Sequence, residues 1–267
     1  MAIQSSEIKI ARRRVCILGV EIDSLTMDDA IVAFDALISR GTPAIVYSVN
    51  VDVCMKIQQD PELRRMFREA ELVLVDGTPM MWAARLLGSP LAGRVSGSDL
   101  VPAFCAAAAM KGYRVYFIGA APGIAERAKQ FLQDEHPGLR IVGTYAPPLG
   151  FDTDDYESAK AVDLVRAADP DVLFAAFGVP KQEKWLFRNR DALKVPVSMG
   201  IGSSLDYLAG RLRRAPRWMQ VLGLEWTYRL VQEPGRLWRR YLIDDPPFFY
   251  YLFREMLRQR NEQSRQD

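Results

Sequence analysis

Residues 114–135 read RVYFIGAAPGIAERAKQFLQDE: a β-branched and aromatic run, a short loop bounded by glycines, and then an amphipathic segment. This order predicts a buried strand at 114–118, a tight turn and a helix at 124–135. Such a unit places the free N–H groups of a helix N-terminus beside the end of a strand, where phosphate binds well. The glycine spacing differs from G-x-G-x-x-G, so the dinucleotide-binding fingerprint is absent.

Strands and helices continue to alternate on both sides of this unit, as far as about residue 205. Further strands are predicted at 14–20, 44–49, 72–75, 139–145, 172–177 and 195–200. Further helices are predicted at 27–39, 53–69, 79–87, 98–110, 154–168 and 181–189, with Thr78 as the N-cap of the third. This succession is typical of an α/β fold whose mostly parallel sheet carries helices on both faces.

The chain changes character after residue 205, because only helical patterns follow and prolines divide them. We therefore predict a core at 1–205 and a helical appendage at 206–267, and we expect the core to fold without the appendage. An apolar stripe is predicted along one appendage helix, formed at i+4 spacing by Trp218, Leu222, Trp226 and Leu230. The stripe is compatible with packing on the core, on a second subunit in a homo-oligomer, or on lipid.

Composition restricts the class of protein. The 267 residues are 49% hydrophobic and 25% charged, which is typical of a globular chain and excludes disordered, collagen-like and integral-membrane proteins. The three cysteines are far apart and form no C-x-x-C pair, which favours a reducing compartment. The apolar run at 15–20, preceded by three arginines, is too short for a signal peptide or a membrane span. We expect a cytoplasmic protein with at most peripheral membrane contact.

Positive charge is concentrated in the appendage. The net charge is −3 over residues 1–209 and +5 over 210–267, and residues 210–240 contain eight arginines and no lysine. The arginine side chain binds phosphate through two parallel hydrogen bonds. Together with the nearby tryptophans and tyrosines, this pattern fits either a solvated helix face or a surface for anionic membrane. Nucleic acid is disfavoured, since the total charge is nearly neutral and no nucleic-acid-binding motif is present.

Ligands of parallel α/β sheets bind at the carboxyl ends of the strands. Polar and small residues collect at those ends, and the candidates are Ser48, Asn50, Asp76, Gly119, Gln182, Gly200 and Ser203. Asp76 is the strongest of them, because a carboxylate at a dry strand end suits a general base. Its alternative role is to cap a turn or helix, although Thr78 is a better placed cap.

No metal site is predicted. The residues Asp152-Thr-Asp154 match the D-x-D pattern that holds a divalent cation in many sugar-nucleotide enzymes. They also open a polar helix, and helix capping explains them adequately. Because His136 is the only histidine, histidine-rich zinc sites are excluded and a Ser-His-Asp triad is improbable. His136 itself is predicted to lie in a surface turn. Phosphates bound here must then be neutralised by arginines and helix N-termini.

Several short motifs, taken together, resemble the WecG/TagA/CpsF family of bacterial glycosyltransferases. They are SVN at 48–50, LVLVDG at 72–77, WAARLLG at 82–88, RVSGSDL at 94–100, FIG at 117–119, FGVPKQEKW at 177–185, DYLAG at 206–210, RAP at 214–216, GLEWTYRL at 223–230 and QEP at 232–234. The resemblance covers about residues 15–243. Ser203-Ser204 stands where a Gly-Gly/Thr type of loop is common in the family.

The resemblance implies a Rossmann-like core with a C-terminal helical appendage that closes over the active site. It implies an inverting, metal-independent enzyme without a cofactor, which transfers a hexose or N-acetylhexosamine-type sugar from a UDP-sugar to a polyprenyl-diphosphate-linked saccharide at the inner face of the cytoplasmic membrane. The residues implied are Asp76 as general base, Ser48, Asn50 and Gln182 in the pocket, and Arg229, Arg236 and Arg239 at the diphosphate, with Gly119, Gly200 and Ser203 in the phosphate-facing loops.

Two other classes remain open from the residues alone. A Rossmann enzyme of another type, such as an oxidoreductase, requires the G-x-G-x-x-G loop that residues 119–123 lack. A non-enzymatic module that binds membrane surfaces is the second alternative. It predicts that Asp76 can be replaced by asparagine without consequence, whereas a transferase predicts loss of most turnover.

Overall fold

The computed structural model describes residues 13–263; Arg12, from the arginine run before the first strand, lies outside them. The strands are β1 (Arg14–Ile17), β2 (Val20–Asp23), β3 (Ala44–Val49), β4 (Leu72–Val75), β5 (Arg114–Gly119), β6 (Arg140–Tyr145), β7 (Val172–Ala176) and β8 (Val197–Gly200). The helices are α1 (Met27–Arg40), α2 (Val51–Gln59), α3 (Pro61–Arg68), α4 (Thr78–Leu86), α5 (Gly97–Lys111), α6 (Ile124–Glu135), α7 (Asp155–Ala168), α8 (Lys181–Leu193), α9 (Ser204–Leu208), α10 (Arg217–Val221), α11 (Glu225–Gln232), α12 (Pro234–Arg239) and α13 (Pro247–Gln263).

A six-stranded sheet forms the centre, in the order β4-β3-β8-β7-β5-β6, and every pairing in it is parallel. Helices cover both faces, so the predicted α/β fold is confirmed. The connections from β5 and β7 leave in opposite directions, to β6 on one side and to β8 on the other. Neighbouring strands with diverging connections leave a crevice at their carboxyl ends, which is where such folds bind ligands.

Two hydrophobic cores lie on opposite faces of the sheet because successive side chains of each strand point to opposite sides. On one face, Tyr47 packs with residues of α2, α3, α7 and α8. On the other, Val46 packs with residues of α1, α5 and α6. Apart from the edge strand β6, which is mostly half-buried, the strands of the sheet are therefore buried on both faces, which is why they read as largely apolar runs.

Two predicted elements are divided in the structure. The strand predicted at 14–20 is a hairpin of β1 and β2, because Leu18 and Gly19 both have positive φ and turn the chain back. A two-residue turn of this kind matches the twist of the strands it joins. The helix predicted at 53–69 is α2 and α3, separated where the Asp60 side chain caps α3 just before Pro61.

The predicted apolar stripe of the appendage is also wrong, because no single helix carries it. Gly223, with φ of +69°, separates α10 from α11, so Trp218 and Trp226 lie on different helices. Pro234 likewise begins α12, so Arg229 and Arg236 lie on different helices.

The last helix anchors the appendage to the core. Phe248 and Leu252 of α13 are buried among the residues of α2 and the β1–β2 hairpin. Glu255 adds a polar contact, since its carboxylate accepts a hydrogen bond from the Leu18 backbone N–H over 3.1 Å. The division at residue 205 stays a prediction, and it falls within α9, where Leu205 is buried in the core. Among the helices of residues 13–263, none has the length and apolarity needed to span a bilayer.

Candidate functional site

A cleft of about 950 Å³ opens at the carboxyl edge of the sheet, and residues of the appendage form part of its lining. Nine of the ten candidate residues line it: Ser48, Asn50, Asp76, Gly119, Gln182, Ser203, Arg229, Arg236 and Arg239. They come from the ends of five strands and from two appendage helices. The fold thus brings together residues that are up to 191 positions apart in the sequence.

Glycine at position 119 is required by close packing at the crevice between β5 and β7. Its φ is +104°, and a Cβ atom there would lie 2.6 Å from the Phe177 ring and 2.7 Å from the Ala176 carbonyl oxygen. A side chain would force the two strand ends apart. The following residues, Ala120, Ala121 and Pro122, lead along the cleft wall to the start of α6.

Gln182 joins two loops of the cleft. Its side-chain oxygen Oε1 accepts hydrogen bonds from the backbone N–H of Gly178 over 3.1 Å and of Gly202 over 3.2 Å. Its Nε2 donates to Oε1 of Glu183 over 2.8 Å, which fixes the orientation of the amide. Gly200 does not line the cleft: it lies behind Gln182, where a Cβ would approach Nε2 to 2.6 Å.

Glu183 is a buried carboxyl group that the sequence did not single out. Its second oxygen, Oε2, has no hydrogen-bond partner among the described residues. Burial raises the pKa of this side chain to about 7, since charging it in an apolar surrounding is unfavourable. The Glu183 carbonyl oxygen also accepts a hydrogen bond from the Tyr47 hydroxyl, which ties α8 to β3.

Asp76 follows β4, and its backbone N–H donates to the Val49 carbonyl over 2.8 Å. Within the described residues, no group donates a hydrogen bond to its carboxylate, which faces the cleft. Burial and the nearby Glu225 raise the pKa of Asp76 above its ordinary value, and Arg94 and Arg229 oppose that shift. A carboxylate held in this way is a stronger base than one in water.

Thr78, two residues after Asp76, does not cap α4 as the sequence predicted. It is the first residue of the helix, whose N-cap is Gly77. The Thr78 hydroxyl instead donates to the Gln220 carbonyl of the appendage over 3.0 Å. The start of α4 is therefore a docking point for the appendage.

An ion-pair network next to Asp76 joins the appendage to the start of α5. Arg94 lies 3.3 Å from Asp99 and 3.5 Å from Glu225. Arg214 binds the same Asp99 carboxylate through two nitrogens. Arg94 and Glu225 belong to motifs that carry the family resemblance, but only the fold reveals that they meet 131 positions apart.

The three appendage arginines differ in their surroundings. Arg229 is largely enclosed: its Nη2 donates to the Ser203 hydroxyl over 3.2 Å, and its Nε is buried without a partner among the described residues. Arg236 and Arg239 are exposed at the cleft margin, where Arg236 pairs with Glu233 over 2.5 Å. Arg229 is thus held in place before any ligand binds, whereas the exposed Arg236 and Arg239 pair with the acidic side chains of Glu233 and Asp244.

A further polar cluster connects α2 to the appendage. Asn50 caps α2 and also accepts a hydrogen bond from Arg240 over 3.4 Å. Arg240 lies 3.6 Å from Asp52 and 3.7 Å from Asp245. Burial raises the pKa of Asp245 to about 6. Sequence reasoning missed Arg240 and Asp245, because only the contact of Arg240 with α2, and of Asp245 with Arg240, distinguishes them from other charged residues of the appendage.

The D-x-D residues have separate roles. Asp154 caps α7 by accepting the Glu157 N–H, as the sequence predicted. Asp152 lines the cleft and lies 3.7 Å from the Lys181 ammonium group. Residues 13–261 contain no group of three or more histidine, cysteine or acidic side chains with the arrangement of a metal site.

Comparison with known proteins gives a consistent result. The model of the glycosyl transferase WecG/TagA/CpsF family matches residues 15–262. A relative from Bacillus spizizenii is 33% identical over 205 residues, 77% of each chain, and one from Staphylococcus aureus is 30% identical over 241 residues, 89% of this chain and 91% of the relative. Both relatives are named N-acetylglucosaminyldiphosphoundecaprenol N-acetyl-beta-D-mannosaminyltransferase.

Proposed function

The chain belongs to the WecG/TagA/CpsF family of glycosyltransferases, and from that membership and the geometry of the cleft we propose that it is an inverting transferase. Its donor is a UDP-sugar, and its acceptor is a saccharide linked to polyprenyl diphosphate. The names of the relatives favour transfer of N-acetylmannosamine to N-acetylglucosaminyl-diphosphoundecaprenol, a step of surface polysaccharide synthesis. The observation that carries the proposal is the position of Asp76, whose carboxylate accepts no hydrogen bond from the described residues and lines the same cleft as Arg229 of the appendage.

In the proposed reaction, a hydroxyl oxygen of the acceptor attacks the anomeric carbon of the donor sugar and gives its proton to Asp76. The bond from that carbon to the UDP oxygen breaks, and UDP leaves with the electron pair. Attack from the face opposite the leaving group inverts the anomeric configuration. The pKa of Asp76, raised by burial and by Glu225, favours proton uptake.

Negative charge develops on the β-phosphate as UDP leaves. Arg229 is fixed by Ser203 and needs no reorganisation to meet that charge. Arg236 and Arg239, at the cleft margin, add positive charge to the same phosphate in the proposed complex. The loop after β5 lines the same cleft, and we propose that the backbone N–H of Ala121 donates to the diphosphate. We propose that these groups suffice without a metal ion or other cofactor.

We also propose peripheral binding to the inner face of the cytoplasmic membrane. The helix α13 is apolar on two faces: Phe248 and Leu252 point into the core, whereas Phe249, Tyr250 and Phe253 are more than half exposed. Exposed aromatic side chains beside a basic segment fit the boundary of an anionic bilayer. Binding there brings the enzyme to an acceptor that is held in the membrane by its lipid.

The test is an assay of UDP release. Purified protein is mixed with UDP-N-acetylmannosamine and a short-chain polyprenyl-diphosphate N-acetylglucosamine, with and without EDTA. We expect UDP release that depends on the acceptor and is unaffected by EDTA, and a product whose anomeric configuration is opposite to that of the donor. Failure to release UDP from any UDP-hexosamine in the presence of lipid-linked acceptor contradicts the proposal.

A further inference from the structure

A second, smaller cavity adjoins the main cleft between the start of α4 and the appendage. Its volume is about 250 Å³, roughly a quarter of the main cleft. The two cavities share five lining residues: Asn50, Asp76, Ser98, Arg229 and Arg240. Asp76 therefore borders both cavities. A base that accepts a proton between two reactants requires this position.

The walls of the two cavities differ in chemistry. The main cleft is lined by glycine loops and basic side chains, which suit a nucleotide diphosphate. The smaller cavity is lined by aromatic rings, among them Trp226 and Tyr241, whose centroids lie 5.8 Å apart at 60°. Glu225 and Asp245 add carboxylates at its margin. Aromatic faces with a few polar groups match a sugar ring, which presents C–H groups on its faces and hydroxyls at its edge.

The inner wall of the smaller cavity is held tightly. Gly223 packs on Trp82, and a Cβ at that position would lie 2.7 Å from the indole ring. The adjoining Thr78 hydroxyl binds the Gln220 carbonyl. At the other end, Phe249 lines the cavity and is also more than half exposed on α13. The cavity thus runs from Asp76 to the exposed aromatic face of the last helix.

We propose that the smaller cavity binds the terminal sugar of the acceptor, with the Trp226 indole stacked on its ring and Tyr241, inclined at 60° to that indole, against its edge. This inference rests on the proposed function, because it assigns the second substrate of the same reaction. The donor occupies the main cleft, and the acceptor hydroxyl reaches Asp76 from the opposite side. The lipid portion of the acceptor extends past Phe249 toward the exposed face of α13.

The test separates acceptor binding from donor binding. Trp226→Ala and Tyr241→Ala are assayed with the short-chain acceptor in solution, without vesicles, so that membrane contact plays no part. We expect the KM for the acceptor to rise about tenfold or more while the dissociation constant of UDP, measured by calorimetry, is unchanged. Trp238→Ala is the matched control, because this tryptophan is half exposed and lines neither cavity.

A second variant protects the test against loss of folding. Trp226→Leu keeps an apolar side chain but removes the aromatic face, and we expect it to raise the acceptor KM with an unchanged melting temperature. An unchanged acceptor KM in the folded variants, or an equal loss of UDP affinity, overturns the assignment of the cavity. Absence of turnover in the wild-type protein instead contradicts the proposed function itself, so the two failures are distinguishable.

Discussion

Arg229 on α11 donates a hydrogen bond from Nη2 to the hydroxyl of Ser203, in the loop after β8, over 3.2 Å. This contact places a guanidinium group of the appendage directly above the carboxyl edge of the sheet. The bond spans 26 positions of sequence and crosses the predicted division between core and appendage. The catalytic cleft of the proposed enzyme is therefore made by both parts together.

Replacement of Arg229 tests whether the appendage takes part in the reaction. For Arg229→Ala we expect kcat to fall by about 10² to 10³, because the charge on the leaving UDP loses a fixed donor. Arg229→Lys keeps the charge but not the forked geometry, and we expect it to recover only part of the rate. The measurement is UDP release under saturating donor and acceptor.

Arg217→Ala is the control for that experiment, since Arg217 is exposed on α10 and lines neither cavity. It should turn over like the wild type. Equal rates for Arg229→Ala and Arg217→Ala rule out a role of Arg229 in stabilising the leaving group.

The pH dependence of kcat/KM tests the surroundings of Asp76. The base must be deprotonated, so activity falls as the pH drops through the pKa of Asp76, which lies above the ordinary value of 3.8. Glu225 raises that pKa, and Glu225→Gln is expected to move the acidic limb of the profile to lower pH. Glu135→Gln, an exposed change at the end of α6, serves as the control. An acidic limb that stays in place in Glu225→Gln contradicts the assigned coupling.

Glu183 predicts a pH-dependent stability. Its folded-state pKa of about 7 exceeds the ordinary value of 4.5, so the folded protein holds a proton that the unfolded chain releases. The free energy of unfolding therefore decreases as the pH rises through this range. For Glu183→Gln we expect the stability relative to wild type to increase by about 2 to 3 kcal/mol between pH 5 and pH 8. Urea unfolding at the two pH values measures it, and an identical pH slope in both proteins refutes the prediction.

The anchoring of α13 is tested by one buried and one exposed phenylalanine. Phe248 is fully buried and Phe253 is 58% exposed on the same helix. We expect Phe248→Ala to lower the free energy of unfolding by about 3 to 5 kcal/mol, because it leaves a cavity in the core. Phe253→Ala should change it by less than about 0.5 kcal/mol. Similar small effects of both variants would place α13 outside the folding unit of the core.

The parallel sheet could be predicted from sequence because its strands are buried on both faces. Ala44–Val49 and Leu72–Val75 have the predicted bounds, and each is apolar, apart from Ser48, and is followed by a polar residue. The polar residues after those runs, Asn50 and Asp76, then had to meet at one edge of the sheet. Most of the candidate site follows from this rule alone.

Features that depend on distant contacts could not be predicted. Thr78, followed by Pro79, matches the pattern of an N-cap, but its hydroxyl donates to the carbonyl of Gln220, 142 positions away. The division of the Trp218–Leu230 stripe follows from Gly223, whose packing on Trp82 is visible only in the fold. The smaller cavity likewise depends on contacts between α4 and the appendage, which form part of its wall. Leu18 in a left-handed conformation gave no signal, since this residue type rarely adopts it.

The central claim is that the Asp76 carboxylate takes the proton of the acceptor hydroxyl, and Asp76→Asn tests it most directly. The variant keeps the size of the side chain and removes the base. We predict that kcat for acceptor-dependent UDP release falls by about 10² to 10⁴, with unchanged melting temperature and unchanged UDP affinity. A kcat close to that of the wild type contradicts the claim.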